Sequence, residues 1–252
     1  AVHALRLRGR EQQPLKLPLL LLALVTLQAA FGMWTVTLKL WPQVVTAHLL
    51  GGFATLALLF LLSLRLSGRF AAQVVPSPTR ALAALGLLLV IGQIALGGWV
   101  SSNYAAVACV DLPTCHGQWW PPMDFANGFH LTQHIGPNYL GGQLDNDART
   151  AIHVSHRLGA ILVTVVLLLL SWRLQRGGFS RLAALVLLAL AVQISLGISN
   201  VVLQLPLAVA VAHNLGGACL MLVLVLVNYR LRAPGRVSNP VETAHPSLQL
   251  SQ

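Results

Sequence analysis

Charged residues are scarce in this 252-residue chain, where Asp, Glu, Lys and Arg together make up 9% and only six residues are acidic. Hydrophobic residues make up 56%, and the mean hydropathy is +0.73. So little charge excludes a water-soluble domain and predicts a polytopic membrane protein. The apolar runs themselves hold almost no charged residue, which argues against a transporter with charged groups at mid-membrane.

Six apolar segments are each long enough to cross the ~30 Å hydrocarbon core of a bilayer. Backbone polar groups in lipid must be satisfied within the segment, so runs of this length predict α-helices. The predicted fold class is therefore an all-α polytopic membrane protein with six transmembrane helices. In chain order the predicted spans are 17–38, 44–66, 81–101, 151–172, 182–203 and 207–229.

The net charge of +10 comes from basic residues that alternate by side of the membrane, which argues against a nucleic-acid partner. Basic clusters precede span one, lie between spans two and three and between spans four and five, and follow span six. The long loop 102–150 instead carries four Asp residues. The positive-inside rule then predicts cytoplasmic termini and an external long loop. The first apolar run is too long for a cleavable signal peptide and lacks a small-residue cleavage site.

Residues 27–54 and 192–219 align without a gap and share about eleven identities, which indicates an internal duplication. The identities include Gln28 with Gln193 and His48 with His213. An ionisable side chain is costly inside an apolar run and usually has a ligand or a polar partner there. The duplicated histidines therefore predict a buried site.

The two copies are unequal in what precedes them. The second copy follows two further spans and the long loop, whereas the first follows only a short basic segment. We therefore expect a truncated protein in which the first repeat lacks its first two helices. The predicted organisation is a cytoplasmic segment at 1–16, the last two helices of the first repeat at 17–66, a complete four-helix repeat at 81–230 and a cytoplasmic tail at 231–252.

The histidines carry the predicted chemistry. His153 and His156 lie on one face of span four, and His213 lies on span six. Both spans begin at the outer surface, so His156 and His213 are predicted at nearly one depth, each roughly 10 Å in. Two histidines on neighbouring antiparallel helices at one depth can ligate a haem iron from both faces. Arg157 is expected to pair with a haem propionate, and the repeat puts His48 at the depth of His213.

Simpler interpretations of these residues stay open. A membrane histidine is as often a hydrogen-bonding residue between helices as a ligand, and small residues such as Gly51 and Gly52 suit close helix packing without a cofactor. A Gln-x-x-x-Gly pattern occurs three times, at 28–32, 93–97 and 193–197. It predicts either the lining of a cavity or a packing contact.

Cys109 and Cys115 lie in the long loop on the oxidising side of the membrane, where a disulfide is the leading interpretation. The alternative is a metal site that combines them with His116 and the pair His130 and His134. A surface loop with scattered histidines is the commoner explanation of that pair, and no role is assigned to His153. Cys219, within span six, is expected to be a small buried side chain.

The order of these motifs resembles the C-terminal half of the haem A synthase family over residues 17–230. It runs through a Gln-x-x-x-Gly-Gly helix, a Cys-x5-Cys-His-Gly-x-Trp loop, a His-Arg helix, a Gln-x-x-x-Gly-Ile helix, a Leu-Pro turn and a His helix. The resemblance implies an oxidoreductase of the bacterial inner membrane. Such an enzyme oxidises the methyl group of haem O to a formyl group in successive O₂-dependent steps, giving haem A for cytochrome oxidase, with electrons arriving through haem b.

The resemblance also implies roles for particular residues. His156 and His213 would ligate the haem b cofactor, His48 would be one ligand of the substrate haem O, and Cys109 and Cys115 would form a disulfide. The implied partners are haem O and membrane lipid, with haem O synthase as a further candidate. The electron donor is left open.

Two departures from the family pattern matter. Val110 stands where the pattern has proline, which affects the stiffness of the loop. The family's first two helices should supply the second ligand opposite His48 and a catalytic carboxylate, whereas the equivalent position in the second copy is His153. We therefore expect this chain alone to be inactive. The alternative function is a bis-histidine, cytochrome b-type electron-transfer protein, which needs the same histidines and no substrate site.

Overall fold

The computed structural model describes residues 16–67, 75–135 and 137–232, and within these ranges it is all-helical. Six of its helices are long and apolar enough to cross a membrane, which confirms the predicted fold class. The predicted segments 1–16 and 231–252 lie almost wholly outside the described residues. The helices are α1 Lys16–Thr37, α2 Pro42–Ser67, α3 Ser77–Ser102, the single turn α4 Phe125–Gly128, α5 Asn146–Arg176, α6 Ser180–Val202 and α7 Leu207–Arg230.

Helix α5 begins well before the apolar run that predicted it. Its first residue is Asn146, with Asp145 at the N-cap position and Asp147 in the first turn. Acidic side chains near the N-terminus interact favourably with the helix dipole, so a polar sequence can start a helix that hydropathy alone does not predict. His156 therefore lies about 15 Å from the start of α5, whereas His213 lies about 9 Å from the start of α7. The first turns of α5 extend beyond the bundle and are buried under the long loop.

Four of the long helices form a bundle in the ring order α3, α5, α6, α7. A buried apolar core fills the end of this bundle farther from the long loop, with members such as Val90, Leu167, Leu190 and Leu224. There the Asn228 side-chain amide of α7 donates to the carbonyl oxygen of Ala83 on α3 at 3.0 Å. Apolar packing thus holds this end of the bundle together.

The end of the bundle nearer the long loop is packed differently. Helices α6 and α7 are described throughout, and the buried residues of α6 are Ala183, Val186 and Leu190, all in its first half. The buried residues of α7 begin only at Gly217. The halves of α6 and α7 that meet at their connecting turn therefore bury no side chain fully, and they leave space inside the bundle.

Helices α1 and α2 form a hairpin that joins the bundle along one side. Helix α1 packs mainly on α2, and α2 in turn packs on α3 and α7. The hydroxyls of Thr46 and Ser102 lie 3.1 Å apart where α2 meets α3. Only 6% of the most apolar stretch of α1 and of α2 is buried, against 28% for α7. The hairpin thus offers a large apolar surface to its surroundings.

The long loop covers the ends of several helices. The indole N–H of Trp99 on α3 donates to the Gly128 carbonyl at 2.8 Å, and that of Trp41 donates to the Gln133 carbonyl at 3.1 Å. The loop also contacts the turn between α1 and α2, where the backbone N–H of Tyr139 donates to the carbonyl of Lys39 at 3.0 Å. The loop therefore ties the hairpin to the bundle.

Cys109 and Cys115 form a disulfide, which confirms that prediction. Because both sulfurs are used in this bond, the alternative metal site with these cysteines as thiolate ligands is wrong. His116, His130 and His134 are exposed on the loop, and the described part of the chain contains no cluster of three or more metal-ligating side chains. The expectation for Cys219 is also wrong, because it lies on an exposed face of α7.

Candidate functional site

Each of the three candidate histidines lies in the same local arrangement between two packed helices. One helix carries Gln-x-x-x-Gly, and the other carries His-x-x-Gly. The duplication predicted this arrangement for the first and last pairs, whereas the structure adds a third copy that joins α3 to α5. The three sets are Gln28, Gly32, His48 and Gly51 on α1 and α2; Gln93, Gly97, His156 and Gly159 on α3 and α5; and Gln193, Gly197, His213 and Gly216 on α6 and α7.

The glycine of each Gln-x-x-x-Gly motif lies against the edge of the histidine ring. A Cβ atom built on Gly97 would lie 3.2 Å from Cε1 of His156, and the same distance of 3.2 Å applies to the other two pairs. Real Cβ atoms rarely come this close to a neighbour. A side chain at these positions would therefore push the imidazole away from the backbone of the neighbouring helix. The other two pairs are Gly32 with His48 and Gly197 with His213.

The glutamine side chain spans the seam between the two helices. Nε2 of Gln93 donates to the backbone carbonyl of His156 at 2.8 Å and lies 3.1 Å from Nδ1 of its ring. Nε2 of Gln28 donates to the carbonyl of His48 at 2.8 Å, and Nε2 of Gln193 lies 3.3 Å from Nε2 of His213.

A glycine faces each of these amides from the helix that carries the histidine. A Cβ atom on Gly51, Gly159 or Gly216 would overlap the glutamine amide opposite it. The two glycines of each set therefore have separate tasks. One lets the imidazole approach the neighbouring helix, and the other leaves room for the amide that contacts the imidazole.

His156 and His213 face each other across the bundle. Helices α5 and α7 are separated by α6 in the ring, so they occupy opposite corners. They also run in the same direction, because short turns reverse the chain on either side of α6. The predicted neighbouring, antiparallel relation of these helices is therefore wrong. The two imidazoles are nevertheless close enough to interact electrostatically.

The residues between these two histidines fit a haem. The oxygens Oε1 of Gln93 and Gln193 and the nitrogen Nδ1 of His213 are buried without a hydrogen-bond partner among the described residues. Buried polar atoms are normally satisfied, so such a group calls for a partner that protein atoms do not supply. This half of the bundle also contains unfilled space between its helices. An unfilled, partly polar interior with two opposed imidazoles suits a flat group with a metal at its centre.

His153 has a different neighbourhood from His156, although both lie on α5. It is buried, and its Nδ1 lies 2.9 Å from the carbonyl oxygen of Ala105. This contact ties α5 to the chain that leaves α3. His153 is thus a structural link between α5 and the start of the long loop.

Arg157 contacts the disulfide-closed part of the long loop. Its guanidinium donates to the carbonyl of Thr114 at 2.8 Å, of Asp111 at 2.9 Å and of Cys109 at 3.2 Å. Only Nε is left buried without a partner among the described residues. Pairing of Arg157 with a haem propionate stays a prediction, and anchoring the loop is a role that sequence reasoning missed. It missed it because the contact depends on how the loop folds back over α5.

Asp111 organises the same turn from within. Its carboxylate accepts hydrogen bonds from the Thr114 hydroxyl and from the backbone N–H groups of His116 and Gly117. These bonds favour the ionised form and lower the pKa of Asp111 to about 2. The turn therefore requires a negative charge at position 111.

Comparison with known proteins gives a consistent set of relatives. Residues 1–225 match the COX15-CtaA family, whose description is cytochrome oxidase assembly protein. A Shewanella oneidensis protein named Heme A synthase is 49% identical over 224 residues, which cover 86% of this chain and 67% of the relative. Proteins of the same name from Methylobacterium radiotolerans and Nitrosospira multiformis are 37% and 32% identical. Those two matches cover 55% and 74% of this chain, and 36% and 51% of the relatives.

Proposed function

The chain belongs to the COX15-CtaA family of cytochrome oxidase assembly proteins, and on that premise we propose that it carries out the haem A synthase reaction of the relatives it resembles. In this reaction the methyl group of haem O is oxidised to a formyl group by successive O₂-dependent hydroxylations. The observation that carries the proposal is the pair His156 and His213, opposed across an unfilled part of the bundle. The names of the relatives do not favour the cytochrome b-type alternative.

The two histidine sites have separate tasks in this proposal. His156 and His213 hold a haem b, with Arg157 beside one of its propionates. A haem iron with two histidine ligands has no free position for O₂, so this group supplies electrons. The hairpin α1–α2 forms part of the site for haem O, with His48 as one ligand. Its support is the same glutamine and glycine arrangement around His48 as around the other two histidines.

The proposed orientation in the membrane follows from chemistry at the two ends of the bundle. A disulfide persists on the oxidising side of a bacterial inner membrane, so the loop with Cys109 and Cys115 faces outward. The opposite end carries Arg173 and Arg176 in the last turn of α5 and Arg230 in that of α7. Basic residues concentrate on the cytoplasmic side. Both termini are therefore proposed to be cytoplasmic.

The domain organisation is proposed on the same grounds. Helices α3, α5, α6 and α7 form the complete repeat that holds haem b, and α1 and α2 are the last two helices of the repeat that holds the substrate. The sparse burial of α1 and α2 supports a further helix pair packed against them.

The decisive experiment joins this chain to the N-terminal helices of the Shewanella oneidensis relative and expresses it in cells that make haem O. We expect haem A in the extracted pigments by chromatography, and none from the variant His213→Ala. The exposed loop residue His134 gives a matched control, because His134→Ala removes a histidine that lies outside the bundle. Haem b binding without haem A would support the electron-transfer alternative instead.

A further inference from the structure

Three glutamines lie inside helix seams, although a long polar side chain is costly there. Gln93 and Gln193 are the two that accompany His156 and His213. Neither glutamine has a part in the chemistry derived so far. Each nevertheless places its amide against an imidazole and leaves its Oε1 buried without a partner among the described residues.

The contacts of Gln93 constrain its histidine at two points. One N–H of the amide can reach the backbone carbonyl of His156, and the other can reach a ring nitrogen of the same residue. The first contact fixes the height of α5 against α3, and the second restrains rotation of the ring. A neutral imidazole has one donor and one acceptor nitrogen, so a fixed amide also selects between its two tautomers.

Glycines make this geometry possible from both sides. Gly97 and Gly197 admit the imidazoles, and Gly159 and Gly216 admit the amides. If the glutamines served only to fill space, an apolar side chain would be less costly and no amide would need to meet a ring nitrogen. The same pairing recurs on two separate helix pairs of one bundle, which argues for a shared task.

We propose that Gln93 and Gln193 are positioning residues that set the ring orientation and the free nitrogen of His156 and His213 for ligation of the haem iron. This inference rests on the proposed function, because it requires that these histidines hold a haem. Groups that orient a metal-ligating histidine typically change metal affinity by about 10- to 100-fold when they are removed. The glutamines are placed to act in the same way.

The test uses the full chain, purified from membranes and titrated with ferric haem. The variants Gln93→Met and Gln193→Met keep the length of the side chain and remove its hydrogen bonds. We expect each to weaken haem binding by about 10- to 100-fold, to change the g-values of the low-spin ferric haem in electron paramagnetic resonance, and to add a high-spin fraction. Gln93→Glu and Gln193→Glu retain hydrogen bonding to the ring and should retain the low-spin signal. Their midpoint potential should be more negative, because an anionic partner makes the imidazole a stronger ligand.

The control is Asn228→Leu, which removes another amide bond between helices of the same bundle. Asn228 donates to the Ala83 carbonyl in the apolar core and has no histidine among its hydrogen-bond partners. We expect this variant to keep the g-values and potential of the unsubstituted protein.

The outcomes separate the two proposals. If the unsubstituted protein binds no low-spin haem, the proposed function fails at this site. If it binds haem and the methionine variants match it in affinity and spectrum, or Asn228→Leu shifts the spectrum as much as they do, the positioning role is wrong. Should the methionine variants not accumulate in membranes, the glutamate pair decides, and an unchanged midpoint potential in both would overturn the inference.

Discussion

The α1–α2 pair and the α6–α7 pair carry the same glutamine, histidine and glycines in different surroundings. In each pair a Cβ atom on the first glycine would lie 3.2 Å from the histidine ring, so the local seams are nearly superimposable in design. Helices α6 and α7 complete a ring with α3 and α5, whereas α1 has α2 as its main neighbour. His213 therefore faces a second histidine across the ring, and His48 is the only histidine of residues 16–67.

This difference separates two requirements of a histidine site. The seam between two helices orients one imidazole, and it needs only the local Gln-x-x-x-Gly and His-x-x-Gly motifs. A pair of ligands needs a second helix pair placed opposite the first. One hairpin can therefore provide a correctly oriented histidine without providing a complete haem site.

The largest expected effect concerns activity. The 252-residue chain, expressed in cells that make haem O, should yield no haem A, because His48 has half of a ligand pair and the resemblance places the catalytic carboxylate outside this chain. The same chain extended by the N-terminal helices of the Shewanella oneidensis relative should yield haem A, detected by chromatography of extracted haems. Formation of haem A by the shorter chain would remove the proposed division between the two pairs.

The second expected effect is on haem binding. His156→Ala and His213→Ala should each abolish the six-coordinate low-spin spectrum of the purified chain, because a single imidazole cannot fill both axial positions of the iron. His48→Ala should leave that spectrum in place, since His48 belongs to the other helix pair. Pyridine haemochrome and optical spectra measure both. Equal loss of low-spin haem in all three variants would mean that the two pairs share one site.

Much of the fold and part of the site followed from the sequence. Hydropathy located all six spans, because lipid leaves a long apolar run few alternatives to a helix. It did not find the start of α5, where capping and helix-dipole effects act on polar residues. The duplication identified His48 and His213, whose partners Gln28 and Gln193 lie 20 residues away.

The third copy escaped because its parts are far apart in the chain. Gln93 and His156 are 63 residues apart, with the long loop between them, and only folding brings them into one seam. The His-x-x-Gly spacing shared by all three histidines was the signal that could have revealed it. The links from Arg157 to the loop carbonyls had no such signal, because backbone acceptors leave no pattern in the sequence.

The third prediction compares glycines within the seams. Gly197→Ala should destabilise the purified protein by about 1–3 kcal/mol, since the new Cβ crowds the ring of His213 in a pair held on both sides by the bundle. Gly32→Ala should cost less, because α1 has few other neighbours and can move away from His48. The control is Gly92→Ala on α3, where a Cβ would meet nothing within 4 Å. Thermal unfolding in detergent measures all three, and equal losses at Gly32 and Gly197 would show that the surroundings of the seam do not matter.

The smallest expected effect is a pH dependence of the loop that covers the four-helix ring. The pKa of Asp111 is about 2 in the folded protein and near 3.8 for a free side chain. A lowered folded pKa means that the ionised carboxylate stabilises the turn fully above about pH 4, and that this contribution is lost as the pH falls toward 2. Amide hydrogen exchange at His116 and Gly117 should therefore show the loss of protection across that window.

Asp111→Asn provides the control for this loop, because an amide oxygen accepts hydrogen bonds without carrying the charge that titrates. Its protection should be lower than that of the unsubstituted protein at pH 5 and nearly independent of pH below it. Arg157 binds the three carbonyls of the same turn, so a loosened turn should also expose the disulfide to reductants at low pH. The seam around His48 has no contact with this turn in any hydrogen bond of the described residues, and exchange there should not follow the titration of Asp111. Parallel changes at both places would mean that the loop acts on the whole protein and that the two pairs are not independent.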